Sequence, residues 1–318
     1  MSSTDVQAPA LTANTVGAGR AHSRKTRRTH RSGPSFWYAT PALLFFVGFA
    51  ILPLIVVLGL SFTKWDGLSE ITPAGLDNWI AALTDPQTWQ SLGLTLQLMV
   101  LSWLIQTPLS ILIGVFTAGR QRYRAVYAVL FFVPLLISAA AIAIAWKALL
   151  DPNFGLGAST GIPWLSQNWL GNPDTALFVV IVIITWQFVP FHALLYQGGV
   201  QQIPASMYEA ATLDGAGRAQ QFFNITLPQL KNTFITSTTL MLVGSLTYFD
   251  IVFVLTQGGP GTATRILPLD MYQTGFSSYN MGVASVLAVI LVVLGLTLSL
   301  GLTKLSGFSK MASDLEGA

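Results

Sequence analysis

Six long apolar segments constrain this chain more than any other feature of it. They run over about residues 36–62, 91–118, 125–149, 176–197, 233–255 and 281–302. A helix needs roughly 20 mostly apolar residues to cross about 30 Å of hydrocarbon, and each segment is long enough. One such run would suit a buried helix of a large soluble protein, but six in 318 residues would not. Charge points the same way. Only 9% of the residues are Asp, Glu, Lys or Arg, against about 25% in ordinary soluble domains. A shortfall of that size is accounted for if much of the surface faces lipid. The expected fold class is an all-α, polytopic membrane protein with six transmembrane helices.

The first segment follows a basic stretch, Arg24, Lys25, Arg27, Arg28 and Arg31, as a signal peptide would. Its apolar run is far longer than the roughly 7–15 residues of a signal-peptide core, so it reads as a retained anchor. With the N-terminus placed inside, 13 of the 16 lysines and arginines fall on the cytoplasmic side, and only Lys64, Lys147 and Arg265 fall outside. Cytoplasmic loops carry the excess of positive charge in membrane proteins, so both termini are expected in the cytoplasm. Trp37, Tyr38, Trp65 and Trp164 lie near segment ends, as interfacial anchors do.

The chain divides into a polar, basic tail over 1–33, a six-span domain over 34–305 and a short tail over 306–318. The first tail has the composition of a disordered segment. It reads as a topology determinant that leans on anionic membrane lipid, with no nucleic-acid role assigned. Outside loops fall at 63–90, with helical spacing around Trp79, Ile80 and Leu83, at 150–175, where glycines favour turns over helix, and at 257–280, where Gly258, Gly259, Pro260 and Gly261 break the fifth span. The inside loop 198–232 is too long for a simple connector. Pro204 suits a first helical position. Met207, Ala210 and Ala211 then share a helical face, Asp214-Gly215 punctuates, and a second helix over about 218–225 groups Ala219, Phe222 and Phe223 before Pro228 stops it.

Catalytic chemistry is missing. None of the six lysines follows a glycine, so no phosphate-binding G-x-x-x-x-G-K-[ST] loop exists. Neither H-E-x-x-H nor G-x-S-x-G occurs, and His22, His30 and His192 are scattered. The absence of cysteine excludes disulfides, thiolate metal sites and thiol nucleophiles. No catalytic or metal site is expected. If transport by this chain is driven by ATP, a separate subunit hydrolyses it.

The inside loop reads Glu209-Ala210-Ala211-Thr212-Leu213-Asp214-Gly215-Ala216, followed by Phe222, Ile225, Leu227 and Pro228. This resembles the EAA loop of ABC importer permeases, E-A-A-x-x-D-G-A-x-x-x-x-x-F-x-x-I-x-L-P, at every fixed position. The resemblance implies the type I ABC importer permease fold. It implies that Glu209, Ala210, Ala211, Asp214, Gly215, Ala216, Phe222 and Pro228 belong to helices seated in a cleft of an ATP-binding subunit. The implied partners are a second, homologous permease, an ATPase subunit dimer that carries ATP and Mg, and an extracytoplasmic solute-binding protein; this chain is expected to bind no cofactor itself. Ala145-Trp146-Lys147 with Asp151 to Leu156, Phe249-Asp250 with Leu255-Thr256-Gln257-Gly258-Gly259-Pro260, and Tyr272, Phe276 and Gly282 are similar to stretches of the maltose- and glycerol-3-phosphate-type permeases, on the side of the larger maltose permease subunit. The large extra periplasmic domain and additional N-terminal spans of that subunit have no counterpart in these residues. The resemblance covers about residues 36–305 and implies sugar, a di- or oligosaccharide, as cargo.

Polar residues inside spans are costly in lipid and face a cavity or a neighbouring helix. Trp186 and Gln187 in the fourth span, and Tyr248 and Asp250 in the fifth, are the candidates for a solute path, with Ser245 and Thr247 close by. Aromatic faces stack on sugar rings, and amide or carboxylate groups bond hydroxyls. The competing reading is helix–helix hydrogen bonding, and for Asp250 a structural or gating role near the outer mouth. His192 is expected to bond a carbonyl freed by Pro190. An importer for another solute, such as glycerol phosphate, remains the alternative. A secondary carrier should show inverted repeats and intramembrane charges, of which one clear carboxylate is present. A membrane enzyme lacks its constellation.

Overall fold

The computed structural model describes residues 36–119 and 124–305; the tails at 1–33 and 306–318, and the basic turn with Arg120 and Arg122, lie outside the described residues. Thr40–Leu60, Pro86–Ala118, Pro173–Gln201 and Met281–Lys304 are each long and apolar enough to cross a membrane. Two bent pairs, Val129–Leu136 with Ala139–Leu149 and Lys231–Ser245 with Phe249–Thr256, bring the spans to six if each pair is one span. In chain order these are spans one to six.

Local chemistry sets their ends. Span two begins at Pro86, earlier than its apolar run, because Asp85 caps it by accepting from the Gln87 N–H at 3.0 Å and Pro86 fits the first turn. Asn172 and Pro173 start span four in the same way, with Asn172 accepting from Asp174 N–H at 3.0 Å. Span three, expected as one helix, turns through 103°. Pro134 has no N–H to give the preceding turn, Ser138 is extended, and its hydroxyl accepts from Ala141 N–H at 3.3 Å to start the second half. Span five, also expected to be continuous, bends by 46° at Leu246–Tyr248. Ser245 and Thr247 turn their hydroxyls back on the carbonyls of Leu242 and Gly244, both at 2.7 Å, competing with the helix ladder.

Spans two and four form the centre of the bundle. A Cβ on Gly114 would lie 2.7 Å from both the Ala193 carbonyl and the Tyr196 Cβ, so the absence of a side chain there lets the two backbones close up. Ser110 donates across the same contact to the Val189 carbonyl at 3.3 Å. Leu98, Val180, Ile181 and Ile184 join Ile142, Ile251, Val252 and Leu255 in the main apolar cluster. Span one contrasts with this: none of its residues is buried, and its second half touches span six.

One end of the bundle is capped by residues 63–85 and 257–280. Asn78 Nδ2 donates to the carbonyls of Ser61 (3.0 Å) and Thr63 (2.8 Å), and Leu267 N–H donates to Thr95 Oγ1 at 2.8 Å. Residues Asp77–Thr84 are helical, as their spacing suggests. The loop expected to turn over 150–175 contains one short helix, Leu156–Thr160, ended by Gly161 at φ 70°.

Candidate functional site

The long loop holds the helix Ala205–Leu213, with Pro204 just before it rather than at its first position. Its end explains the spacing of the motif. Gly215 lies at φ 79°, Ala216 N–H donates to the Ala211 carbonyl at 2.8 Å, and Gly215 N–H donates to the Thr212 carbonyl at 3.1 Å. Those two bonds, with a left-handed glycine, are a Schellman stop. Ala211, Asp214, Gly215 and Ala216 therefore all belong to one helix terminus, Ala211 in its last turn and Asp214 to Ala216 at the cap and just beyond it. Nothing lies within 4 Å of where a Gly215 Cβ would stand, so the need for glycine there comes from the backbone and not from crowding.

The helix is rolled differently from the expected face. Tyr208 OH meets Thr226 Oγ1 at 2.9 Å, which turns Met207, Tyr208 and Ala211 toward the body and leaves Ala210 exposed with Glu209. Gln221 Nε2 closes the turn from the other side, donating to the Ala216 carbonyl (3.0 Å) and Thr212 Oγ1 (3.1 Å). The second helix also departs from expectation. Arg218–Gln221 passes into a π-helical stretch, Phe222–Thr226, and only Phe222 of the expected face turns inward, Ala219 and Phe223 staying exposed. Phe222 packs toward Ile111, Tyr196 and Leu230, while Phe223 stays exposed. Pro228 does not stop the helix: it sits in the first turn of Leu227–Gln229, and span five follows almost directly. Leu213 is 90% exposed.

The bend in span five opens a cavity of about 350 Å³ against span four. Phe188, Phe191 and His192 line one side, and Thr247, Tyr248 and Asp250 the other. Tyr248 lies 5.1 Å from Phe188, ring centre to ring centre. Asp250 is exposed to this space, in the first turn of Phe249–Thr256. The structure thus brings Tyr248 and Asp250 together and separates them from the other two candidates. Trp186 packs edge-on against Trp146 at 5.7 Å and lines a different, apolar recess with Pro134 and Val189. Gln187 is buried, and its Oε1 has no hydrogen-bond partner. His192 does not bond a backbone carbonyl; its Nδ1 meets Ser237 Oγ of span five at 3.0 Å. The carbonyl that Pro190 frees belongs to Trp186, six residues back and well round the helix.

Sequence reasoning passed over two groups. Gln106, in span two, is buried close to the Tyr248 hydroxyl, though outside hydrogen-bonding geometry. Its polarity within an apolar run was the available signal. Asp270, 2% exposed, takes Arg265 Nε at 2.9 Å and Nη2 at 2.7 Å. Burial raises the Asp270 carboxyl above its ordinary range, and the Arg265 guanidinium opposes that shift. Among the described residues no group of three or more His, Asp or Glu could hold a metal.

Comparison with known proteins agrees with this architecture. Residues 106–306 match the family described as binding-protein-dependent transport system inner membrane component. The chain is 34% identical over 272 residues to the probable ABC transporter permease protein YurN of Bacillus subtilis, covering 83% of this chain and 93% of that protein. It is 30% identical to the trehalose/maltose transport system permease protein MalF of Thermococcus litoralis, covering 85% and 92%. A bacterial alginate ABC transporter, crystallised in complex with an alginate pentasaccharide-bound periplasmic protein, shares the fold with a TM-score of 0.74 at 22% identity, over 85% of this chain and 93% of that one.

Proposed function

The chain belongs to the family of binding-protein-dependent transport system inner membrane components, and from that membership we propose that it is a transporter permease subunit that carries an oligosaccharide into the cytoplasm as part of an ABC importer. Its partners in this reading are a second, homologous permease, two copies of an ATPase subunit that bind ATP and Mg, and an external solute-binding protein. Both termini and the long loop face the cytoplasm. The carbohydrate names among the relatives support the class of cargo.

The observation that carries the reading is the long-loop helix. It is closed by a Schellman stop and offers Glu209, Ala210 and Leu213 to solvent on a surface that no other described residue covers. Small residues allow close approach, and Glu209 can meet a basic residue across an interface, fixing register more than adding affinity. ATPase closure would be transmitted through this helix into the body, because Phe222 on the same loop packs against spans two and four. Solute would pass the cavity at the span-five bend, where Phe188 and Tyr248 offer ring faces and Asp250 an acceptor. Trp186 and Gln187 lie outside that lining.

The test is the assembled complex in proteoliposomes. Glu209→Lys should lower both ATP-dependent uptake and the ATPase stimulation given by loaded binding protein, with the complex still assembling. Tyr248→Ala should lower uptake more than Gln187→Ala. Full stimulation in Glu209→Lys would remove the loop as the coupling element, and equal uptake in the two alanine variants would remove the cavity as the path.

A further inference from the structure

The loop between spans three and four differs in kind from the loop between spans one and two. Residues 63–85 carry Lys64, Asp66, Glu70, Asp77 and Asp85, whereas residues 150–172 carry one charged side chain, Asp151. Its carboxylate is taken up locally, accepting from the N–H groups of Asn153 (2.8 Å) and Phe154 (2.9 Å). The loop is closely built all the same. A Cβ on Gly157 would collide with the backbone of Leu165 and Ser166. Thr175 Oγ1 donates to the Trp169 carbonyl at 2.7 Å, and Leu150 and Leu170 pack against the main apolar cluster. From this frame Phe154 (90% exposed), Ile162 and Trp164 (63% exposed) are held outward, Trp164 edge-on to Trp169 at 5.1 Å.

Such a surface suits neither water nor hydrocarbon. Water leaves the rings of Phe154 and Trp164 and the Ile162 side chain unburied, at a cost that scales with apolar area. Hydrocarbon leaves the irregular backbone without hydrogen-bond partners, which keeps lipid-exposed loops out of the membrane core. The headgroup layer meets both demands: apolar bodies reach the acyl chains while polar groups keep their partners, which is why tryptophan gathers there. Continuity sets the depth. The loop begins directly after Leu149 and ends directly before Pro173, so two span ends hold it beside the hydrocarbon edge. Lys147, in the last turn before it, has the reach to extend its ammonium into the same layer. We propose that residues 150–172 lie within the lipid headgroup layer at this end of the bundle, with Phe154, Ile162 and Trp164 seated at its boundary with the acyl chains. The consequence falls on span five. Ala139–Leu149, which the loop anchors, packs on Phe249–Thr256, the half beyond the bend, so lipid fixes the depth of that half.

Photoreactive lipids test this on the assembled complex, in nanodiscs of phosphatidylethanolamine and phosphatidylglycerol. One phosphatidylcholine probe carries a diazirine near the ester end of an acyl chain, the other at the chain end, and adducts on this chain are mapped by peptide mass. Both probes should mark span peptides. The ester-end probe should mark peptides holding Phe154 and Trp164 with a yield about threefold or more above that of the chain-end probe, and above its own yield on residues 63–85. Phe154→Ser together with Trp164→Ser should lower the loop's yield severalfold and leave the span adducts unchanged. Loop peptides free of adducts while span peptides carry them would put the loop in water, and equal yields from the two probes would deny it a defined depth; either result overturns the proposal. Adducts that vanish when a loaded solute-binding protein docks would assign this surface to that protein and not to lipid.

Discussion

The two ends of the bundle are finished to different degrees. At the capped end, side chains distant in sequence lock onto one another: Asn78 holds the backbone after span one, Thr95 receives Leu267 N–H, Gln90 Nε2 donates to Thr262 Oγ1 at 3.0 Å, and Arg265 pairs with Asp270. At the long-loop end, the side-chain bonds of Tyr208, Gln220 and Gln221 stay within residues 208–226, and Leu213 and Phe223 project into solvent. One end closes on itself. The other is a shaped surface on which Leu213 and Phe223 are covered by no other described residue, which is where a partner belongs.

If that contrast is right, the largest losses of transport come from the unfinished end. Gly215→Val forces a β-branched residue into the left-handed region, which costs even an ordinary residue about 1–2 kcal/mol. It should cut uptake by about tenfold or more by redirecting the chain at the Schellman stop. Gly215→Asn should keep most of the uptake, because asparagine tolerates that conformation. Transport measured side by side decides it, and equal activity in the two variants would show that the turn is not what the loop needs.

Leu213→Asp should have the next effect. Its side chain is almost wholly exposed, so the thermal midpoint of this chain should stay put while uptake and ATPase stimulation fall several-fold together. A lowered midpoint would mean that Leu213 belongs to the body after all.

The capped end should respond in stability first. Asp270→Ala leaves Arg265 without its carboxylate in a mostly buried place, and should cost about 2 kcal/mol after allowing for the partial exposure of Arg265. The pair Arg265→Met with Asp270→Leu should recover much of the loss, since an apolar pair strands no charge. Melting of the complex reads both; a double variant no better than the single one would argue against a stranded charge.

The smallest effect is expected at Asp66. Its carboxylate accepts from Ser69 N–H (2.7 Å), from Leu68 N–H (2.9 Å) and from Ser69 Oγ (2.8 Å), which lowers its pKa from 3.8 to about 2. A depressed carboxyl stabilises the fold above the unfolded value and loses that contribution as pH falls through the folded one. The midpoint difference between wild type and Asp66→Ala should be slight, constant from about pH 7 to 5, and shrink only below about pH 4. A difference that disappears by pH 6 would assign it to another group.

The sequence made the six spans legible because each apolar run exceeds the hydrocarbon thickness, a property that needs no tertiary context. The loop motif was legible for a different reason: Asp214-Gly215 is a local helix stop, set by nearby backbone groups. What stayed hidden depended on three-dimensional partners. The bend at Ser138 needed Pro134 and a serine cap to act together, and the apolar run over 125–149 masks both. The roll that exposes Ala210 is fixed by Tyr208 reaching Thr226, 18 residues away. Trp186, Gln187, Tyr248 and Asp250 were all polar or aromatic positions within spans, and periodicity alone could not tell that the bend gathers the last two at one cavity and turns the first two elsewhere.

The Schellman stop also makes the loop portable. Its bonds run from Ala216 to Ala211 and from Gly215 to Thr212, and among the described residues no atom crowds the glycine. The ties to Thr226 and Gln221 lie within the same short stretch. Residues 205–226 thus carry their own shape with them. Exchanged as a block between two relatives, the segment should bring along the donor's choice of ATPase subunit while the recipient keeps its cargo, so that the two specificities of such an importer can be inherited and recombined separately.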